Sequence, residues 1–381
     1  MNPWIEQHAE AIATRAEREL EALVAVSSPS GDVAAAEEAV SIAVAFAPAD
    51  AVVERIPCST PGCAPDLLLR VTGTGSRRLL LLGHLDTVID HADHRPVTSD
   101  ADPERLTGSG TVDMKGGDVL ALGVLRALAA DRTADLAEAA LLLVNDEEWR
   151  SVPFAHVERF AGWDACLCFE AGERTDAGDD AVVVRRKAAG SIVVDAHGRA
   201  AHSGAAPDDG RNALLALARV AQLIAAAHDP DGPERLTAVP TVLRAGEALN
   251  VVPGSGQLTA DLRADRLEAI EAVRDTLPAE LDEVRLDARM GRRWPGMDAR
   301  EATAPLLASA SAGLGRPIVA AQRGGASDAS HFAATIAVTV DGLGPVGGGS
   351  HAAHEYVERA SLRPRAEVAL ALADAVLRGG L

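Results

Sequence analysis

Residues 79–88 read Leu-Leu-Leu-Leu-Gly-His-Leu-Asp-Thr-Val, an apolar run that leads directly into a histidine and an aspartate. A short apolar run without alternation is typical of a strand buried on both faces of a sheet. Similar runs occupy residues 67–69, 139–144 and 165–169, and a helix is predicted over residues 117–130. Because apolar strands alternate with helices, we expect an α/β domain with helices on both faces of its sheet.

The pattern changes near residue 187, where runs that alternate polar and apolar residues predict strands with one solvated face. In chain order, the predicted elements are a strand at 192–196, a helix at 208–227, strands at 239–245 and 257–262, a helix at 266–277 and a strand at 283–288. This strand–helix–strand–strand–helix–strand order is ferredoxin-like.

The α/β pattern returns after residue 295, with predicted helices over 304–312 and 362–377 and a strand over 336–340. We therefore predict a mixed-sheet catalytic domain of residues 1–186 and 296–381. An α+β domain of residues 187–295 would interrupt it.

The composition of the 381-residue chain limits its partners. A net charge of −20 disfavours nucleic acids and anionic membranes, because both require clustered basic residues. No membrane-spanning apolar stretch or secretory leader is recognisable, and the four cysteines lack zinc-finger spacing. A cytoplasmic protein with reduced thiols is the expectation, although a bridge between Cys58 and Cys63 stays open.

Acids and histidines cluster just after the predicted strands. The set comprises His84, Asp86, Glu147, Glu148, Glu170 and His351, with Asp113 in a glycine-rich loop before a helix. Singly, such residues are more often turn formers or helix caps than ligands. In open α/β sheets, however, ligands bind at the carboxyl ends of the strands. Because so many acids at one edge would repel each other, the pattern predicts a pair of divalent cations.

These motifs resemble a known family, the co-catalytic zinc peptidases that include glutamate carboxypeptidase, aminoacylase, acetylornithine deacetylase and succinyl-diaminopimelate desuccinylase. The resemblance rests on Gly-His-Leu-Asp-Thr-Val at 83–88, Asp-Met-Lys-Gly-Gly at 113–117 and Asn-Asp-Glu-Glu at 145–148. It runs from residue 28 to the end of the chain. It implies two zinc ions per subunit, with cobalt or manganese also compatible with these ligands.

The resemblance also implies roles for individual residues. His84 and Glu170 would bind one metal, Glu148 and His351 the other, and Asp113 would bridge both, followed by a cis peptide bond. Asp86 would orient His84, and Glu147 would be the general base. In the insertion, His202 would polarise the substrate carbonyl, in the partner's site in dimeric relatives. The residues implied to contact a substrate carboxylate are Asn250, Arg263, Gly324 and Gly325.

The leading hypothesis is a dizinc enzyme, similar to glutamate carboxypeptidase, that hydrolyses an amide bond in a small substrate with a free carboxylate. It would be a homodimer assembled through the insertion. One alternative is a deacylase of N-acyl amino acids such as acetylornithine or succinyl-diaminopimelate. A remote alternative from another class is a binding protein without activity, which the intact set of ligands and base disfavours.

Overall fold

The computed structural model describes residues 1–99 and 101–380, and the chain forms two compact units. Unit 1 contains Met1–Arg185, Asp298–Gln322 and the residues from Ser327 onward. Unit 2 contains Arg186–Met297 and the short segment Arg323–Ala326.

The helices of the described residues are α1 (Pro3–Val24), α2 (Val33–Ala45), α3 (Gly116–Asp131), α4 (Ala213–Ala226), α5 (Leu267–Asp275), α6 (Arg300–Leu314), α7 (Ala329–Phe332) and α8 (Leu362–Leu377). Side-chain caps define several starts. Asn2, Asp32 and Asn212 accept hydrogen bonds from backbone N–H groups in the first turns of α1, α2 and α4, at 3.0, 3.0 and 3.2 Å. Such caps satisfy donors that have no partner within the helix.

The main sheet of unit 1 is mixed. In spatial order its strands are Val52–Ile56, Asp66–Thr72, Leu136–Val144, Arg77–His84, Ala165–Cys168 and Thr339–Val340. The last four strands are parallel to one another, and the first two pair antiparallel at one side. Leu79 to Leu82 are fully buried at the centre of this sheet. The mixed α/β architecture predicted from the apolar runs is confirmed.

Two smaller sheets complete the strands outside the insertion. One contains Glu173–Arg174, Asp180–Arg186, Ile318–Arg323 and Met297–Asp298, and the other contains Arg105–Thr107, Tyr356–Glu358 and Gly347–Gly348. The predicted strand over 336–340 is shortened to Thr339–Val340. Ile336 instead closes a turn after α7, because its N–H donates to the Phe332 carbonyl at 2.8 Å.

Unit 2 has an antiparallel sheet with the ferredoxin-like arrangement. Its strands in spatial order are Thr237–Ala245, Ser255–Ala264, Ala188–His197, Val284–Trp294 and Glu280–Leu281. A separate short ladder pairs Ala201–His202 with Val251–Val252. Ile192 and Leu217 belong to an apolar core formed between this sheet and α4 and α5.

The chain has few aromatic residues, so Leu, Val and Ala fill the unit 1 core. Helix α8 is the clearest case, since its apolar residues from Ala366 to Val376 are buried all round. Within residues 1–99 and 101–380, no helix is both long and apolar enough to cross a membrane. All four cysteines are free thiols, including Cys58 and Cys63.

Candidate active site

Three neighbouring parallel strands end at one edge of the main sheet. His84 is the last residue of the middle strand and lies in register with Val144. Glu147 and Glu148 follow the strand on one side, and Glu170 follows the strand on the other. Because parallel strands point the same way, their carboxyl ends bring these side chains to a common edge.

Two further side chains arrive from loops. Asp113 lies in the kinked turn Thr111–Lys115, where its backbone is not helical (φ −128°, ψ 88°), and is followed by a cis peptide bond. The carboxylate of Glu355 accepts N–H bonds from Gly110, Val112 and Asp113 at 2.8 to 3.0 Å. His351 has a positive φ of 64° in the loop after Gly347–Gly348. The sequence reading missed Glu355, which fixes the loop that carries Asp113.

These side chains form two ligand sets that share one carboxylate. Nε2 of His84 lies 3.2 Å from Oδ1 of Asp113 and 3.9 Å from Oε1 of Glu170. Nε2 of His351 lies 3.2 Å from Oδ2 of Asp113 and 3.0 Å from Oε1 of Glu148. In each set the potential ligand atoms lie within 4.8 Å of one another. Asp113 therefore presents one oxygen to each set.

The chemistry of these sets fits bound cations. Nε2 of His84 is buried without a hydrogen-bond partner among the described residues, although it points at two carboxylates. Burial alone would lower the pKa of His84, but the adjacent carboxylates of Asp113 and Asp86 raise it well above its ordinary value. Hydrogen bonds with Asp113 and Glu148 raise the pKa of His351 to about 10. In the metal-free protein, protons on the imidazoles thus supply the positive charge that divalent cations could supply instead.

Asp86 contacts both His84 and the turn that contains Glu147 and Glu148. Its Oδ1 and Oδ2 accept the backbone N–H groups of Glu147 and Glu148 at 3.1 and 3.2 Å. The Ser30 hydroxyl donates to Oδ2 at 2.6 Å, and Oδ1 lies 3.4 Å from Nδ1 of His84. The backbone carbonyl of Asp86 is nearer to that nitrogen, at 3.0 Å. The Asp86 carboxylate therefore positions the Glu147–Glu148 turn at least as directly as it orients His84.

Glu147 is the buried acid of the pair. Burial raises its pKa well above the ordinary value, and the carboxylates of Asp328, Glu170 and Glu148 add to this shift. Glu148, in contrast, points to His351. A buried carboxylate with a raised pKa accepts a proton more readily than an ordinary one, which suits a general base.

A buried arginine supports the same turn. Arg150 forms ion pairs with Asp146 at 3.1 Å and with Asp328, and its guanidinium lies over the Phe154 ring at 4.1 Å. All of these groups are buried. The sequence alone does not reveal the ion pair of Arg150 with Asp328, because nothing in the local sequence connects residues that are 178 positions apart.

Unit 2 brings two of the predicted substrate residues together. His202 lies opposite Val251 in the short ladder, and the Ser203 N–H donates to the carbonyl of Asn250 at 2.9 Å. Nδ1 of His202 accepts N–H bonds from Gly204 and Ala205, both at 3.1 Å. Because Nδ1 is an acceptor, a neutral His202 carries its proton on the exposed Nε2.

Arg263 lies at the other end of the unit 2 sheet. It is eight residues along the strand from Ser255, which follows the ladder, and this spans about 26 Å at ~3.3 Å per residue. Its guanidinium pairs with Asp261 at 3.1 Å. Gly324 and Gly325 are exposed in the segment Arg323–Ala326, where the carbonyl of Gly325 accepts from Arg186.

Comparison with known proteins places the chain in a family. The model of "Peptidase family M20/M25/M40" matches residues 80–375. Carboxypeptidase G2 from Pseudomonas sp. (strain RS-16) is 28% identical over 315 residues, covering 80% of this chain and 75% of that protein. A succinyl-diaminopimelate desuccinylase from Alkalilimnicola ehrlichii is 29% identical over 299 residues, covering 74% and 79%.

Solved structures share the fold. Aminopeptidase PepT from Bacillus cereus has a TM-score of 0.75 at 19% identity, covering 96% of this chain and 98% of that one. The Bacillus subtilis YXEP protein, described as a dinuclear metal binding peptidase, has a TM-score of 0.71 at 14% identity, covering 97% and 99%. These structures show the shared fold, whereas the family model and the two curated relatives show that the chain belongs to peptidase family M20/M25/M40 and is a hydrolase that acts on amide bonds.

Proposed function

We propose that the chain uses two divalent cations to hydrolyse an amide bond in a small peptide or N-acyl amino acid with a free carboxylate, as a glutamate-carboxypeptidase-like enzyme. The observation that carries this proposal is the convergence of two ligand sets on Asp113, with the buried carboxylate of Glu147 beside them. The 28% sequence identity with carboxypeptidase G2 supports a carboxypeptidase activity.

His84, Asp113 and Glu170 would hold one cation, and Asp113, Glu148 and His351 would hold the other. Imidazole and carboxylate ligands suit zinc, and they also admit cobalt or manganese. When bound, such a pair supplies Lewis acidity and a water molecule of lowered pKa. We propose zinc as the resident metal.

Glu147 would act as the general base. Its side chain takes a proton from the attacking water and returns it to the nitrogen of the departing amine. The hydrogen bond from its backbone N–H to the Asp86 carboxylate holds the residue in place during both proton transfers. Asp86 is therefore a positioning residue, which acts through Glu147, Glu148 and His84.

His202 would donate a hydrogen bond to the substrate carbonyl oxygen. The two backbone N–H groups on Nδ1 leave Nε2–H as its free donor, which is the polarity that this role needs. Asn250 adjoins His202 and would contact the same substrate.

Two chains would supply one complete site. A small substrate is much shorter than the roughly 26 Å of strand that separate Arg263 from Ser255, which follows the ladder of His202. If all three residues contact one substrate, Arg263 and the His202–Asn250 pair must come from different copies. We therefore propose a homodimer assembled through unit 2, in which residues 187–295 serve as the dimerisation domain. Arg263, Gly324 and Gly325 would contact the substrate carboxylate in one copy.

A deacylase of N-acyl amino acids is the second candidate. The succinyl-diaminopimelate desuccinylase, 29% identical, favours it, and the proposed chemistry at Glu147 is the same for both substrate classes. A cytoplasmic location is also part of the proposal, because all four cysteines are free and such compartments keep thiols reduced.

The test combines metal analysis with a substrate panel. Protein loaded with zinc, cobalt or manganese is assayed on N-acyl glutamates, dipeptides, N-acetylornithine and N-succinyl-diaminopimelate. We expect two metals per chain and the highest kcat/KM on an N-acyl glutamate or a peptide with C-terminal glutamate. A preference for N-acetylornithine or N-succinyl-diaminopimelate would establish the deacylase instead. Two bound metals without hydrolysis of any substrate would overturn the proposed function.

A further inference from the structure

A small pocket of unit 1 adjoins the metal-ligand turn. Its volume is about 220 Å³, and its lining comprises Pro29, Ser30, Thr87, Val88, Asp90, Glu148 and Trp149. One wall thus contains Glu148, which belongs to the second ligand set. The pocket opens beside the reacting centre, where part of a substrate can reach it.

Two large apolar side chains in this pocket are exposed. Trp149 is 59% exposed and Val88 is 43% exposed. Single exposed apolar residues are ordinary on protein surfaces. These two, however, directly follow the segments that carry Glu148 and Asp86, and they line the same pocket. Their exposure beside the ligands points to an apolar contact with something that binds there.

The ring of Trp149 rests on a glycine. A Cβ atom added at Gly31 would lie 1.9 Å from the indole ring, and Gly31 also has a φ of +87°. The backbone of Trp149 continues the turn that Asp86 holds through the N–H groups of Glu147 and Glu148. The indole therefore packs flat against the backbone of Gly31, and this position depends on the absence of a side chain there.

We propose that Trp149 and Val88 form a subsite for a flat, uncharged apolar acyl group of the substrate, an aromatic ring in the simplest case. This inference rests on the proposed function, in which unit 2 residues contact the carboxylate on the amine side of the amide bond. The pocket in unit 1 then serves the acyl side. Trp149 and Val88 determine specificity and do not take part in the proton transfers.

Size and charge agree with this class of group. An apolar cavity of about 150 Å³ holds a benzene ring, so the pocket has sufficient room. No basic residue is among the described residues that line it, whereas Asp90 contributes a carboxylate that is not one of the proposed metal ligands. An anionic acyl group such as succinyl would therefore be disfavoured by charge.

The kinetic test compares acyl groups on one amino acid. For the metal-loaded Trp149→Ala variant, we expect KM for N-benzoyl-L-glutamate to rise about tenfold, the scale of a lost apolar contact in a pocket, with kcat nearly unchanged. KM for N-acetyl-L-glutamate should stay the same, and Trp149→Phe should restore most of the benzoyl affinity. Equal changes for both substrates, or none, would overturn the subsite.

Two further variants separate the pocket from general effects. Val88→Ala should weaken benzoyl binding, whereas Val53→Ala, which removes a similarly exposed valine (46%) on an edge strand, should not. Gly31→Ala should reproduce the Trp149→Ala pattern, because the added methyl displaces the ring. If Val53→Ala and Val88→Ala behave alike, the pocket does not bind the acyl group.

A binding readout keeps the subsite and the proposed function distinguishable. Titration of the metal-loaded protein with benzamide, an uncharged probe, should change tryptophan fluorescence, and Trp149→Phe should abolish the change. If this response occurs but no N-acyl amino acid is hydrolysed, the proposed function fails and the subsite stands. If N-acyl glutamates are hydrolysed but benzamide gives no Trp149-dependent response, the subsite is refuted.

Discussion

Replacing Glu147 with glutamine separates proton transfer from metal binding. Glutamine has the same shape and keeps the backbone N–H bond to Asp86 at 3.1 Å, but it cannot accept the proton. Since Glu148 rather than Glu147 points to His351, both metals should remain. General-base catalysis contributes about 10²–10⁴-fold, which corresponds to about 3–5 kcal/mol in the barrier. We expect kcat to fall by that factor.

The same variant should gain stability when metal-free. The folded state raises the pKa of Glu147, so its carboxylate destabilises the fold at pH values above the unfolded pKa of about 4.3. Glutamine removes that cost. Metal-free Glu147→Gln should therefore unfold at a higher temperature than wild type at pH 7, and the difference should vanish as the pH falls towards 4.

Metal content, kcat and thermal unfolding are measured together on one preparation. Glu158→Gln, which changes an exposed acid in the short helix Val157–Phe160, is the control and should leave all three unchanged. A Glu147→Gln variant that holds two metals and keeps more than a tenth of the wild-type kcat would refute the assignment of the base. Loss of a metal would show that Glu147 is a ligand.

Three other predictions follow from the site. Asp86→Asn should weaken metal affinity by about 10–100-fold in chelator competition, and Ser30→Ala should weaken it by a smaller factor. A metal affinity of Asp86→Asn equal to that of wild type would contradict the positioning role. The pKa of His351, about 10, lies above its unfolded value of about 6.5, so metal-free protein should lose stability from pH 6.5 to 10, and less so in His351→Gln. Mixed dimers of Glu147→Gln and His202→Ala chains should regain activity that neither homodimer has; no recovery would exclude His202 acting in trans.

The sequence predicts the features that local patterns encode. Apolar runs predict the strands of the main sheet, and alternation of polar and apolar residues predicts the half-solvated strands of unit 2. The reason is that burial on one face or on both faces of a sheet sets the spacing of apolar residues along each strand. His84 ends one such strand and Glu170 follows shortly after another, so their shared edge follows once the strands are parallel. The predicted strand over 336–340 is too long because local apolar character does not reveal the turn at Ile336.

Interactions between distant segments could not be predicted in this way. Glu355 lies 242 residues from Asp113 and holds its loop, and Arg150 lies 178 residues from Asp328. Neither contact leaves a periodic signal, because each depends on how loops from separate elements meet. The tautomer of His202 also depends on three-dimensional contacts, since it follows from the two N–H groups that approach Nδ1.

The motif around His84 by itself determined the kind of chemistry, since an imidazole and carboxylates placed after buried strands are suited to binding cations. The family resemblance implied how the ligands would divide, but only the tertiary structure shows that Asp113 presents one oxygen to each histidine and that Glu147 is buried while Glu148 meets His351. The reason is physical: side-chain chemistry is local, whereas burial, electrostatics and distance arise only when remote segments pack together.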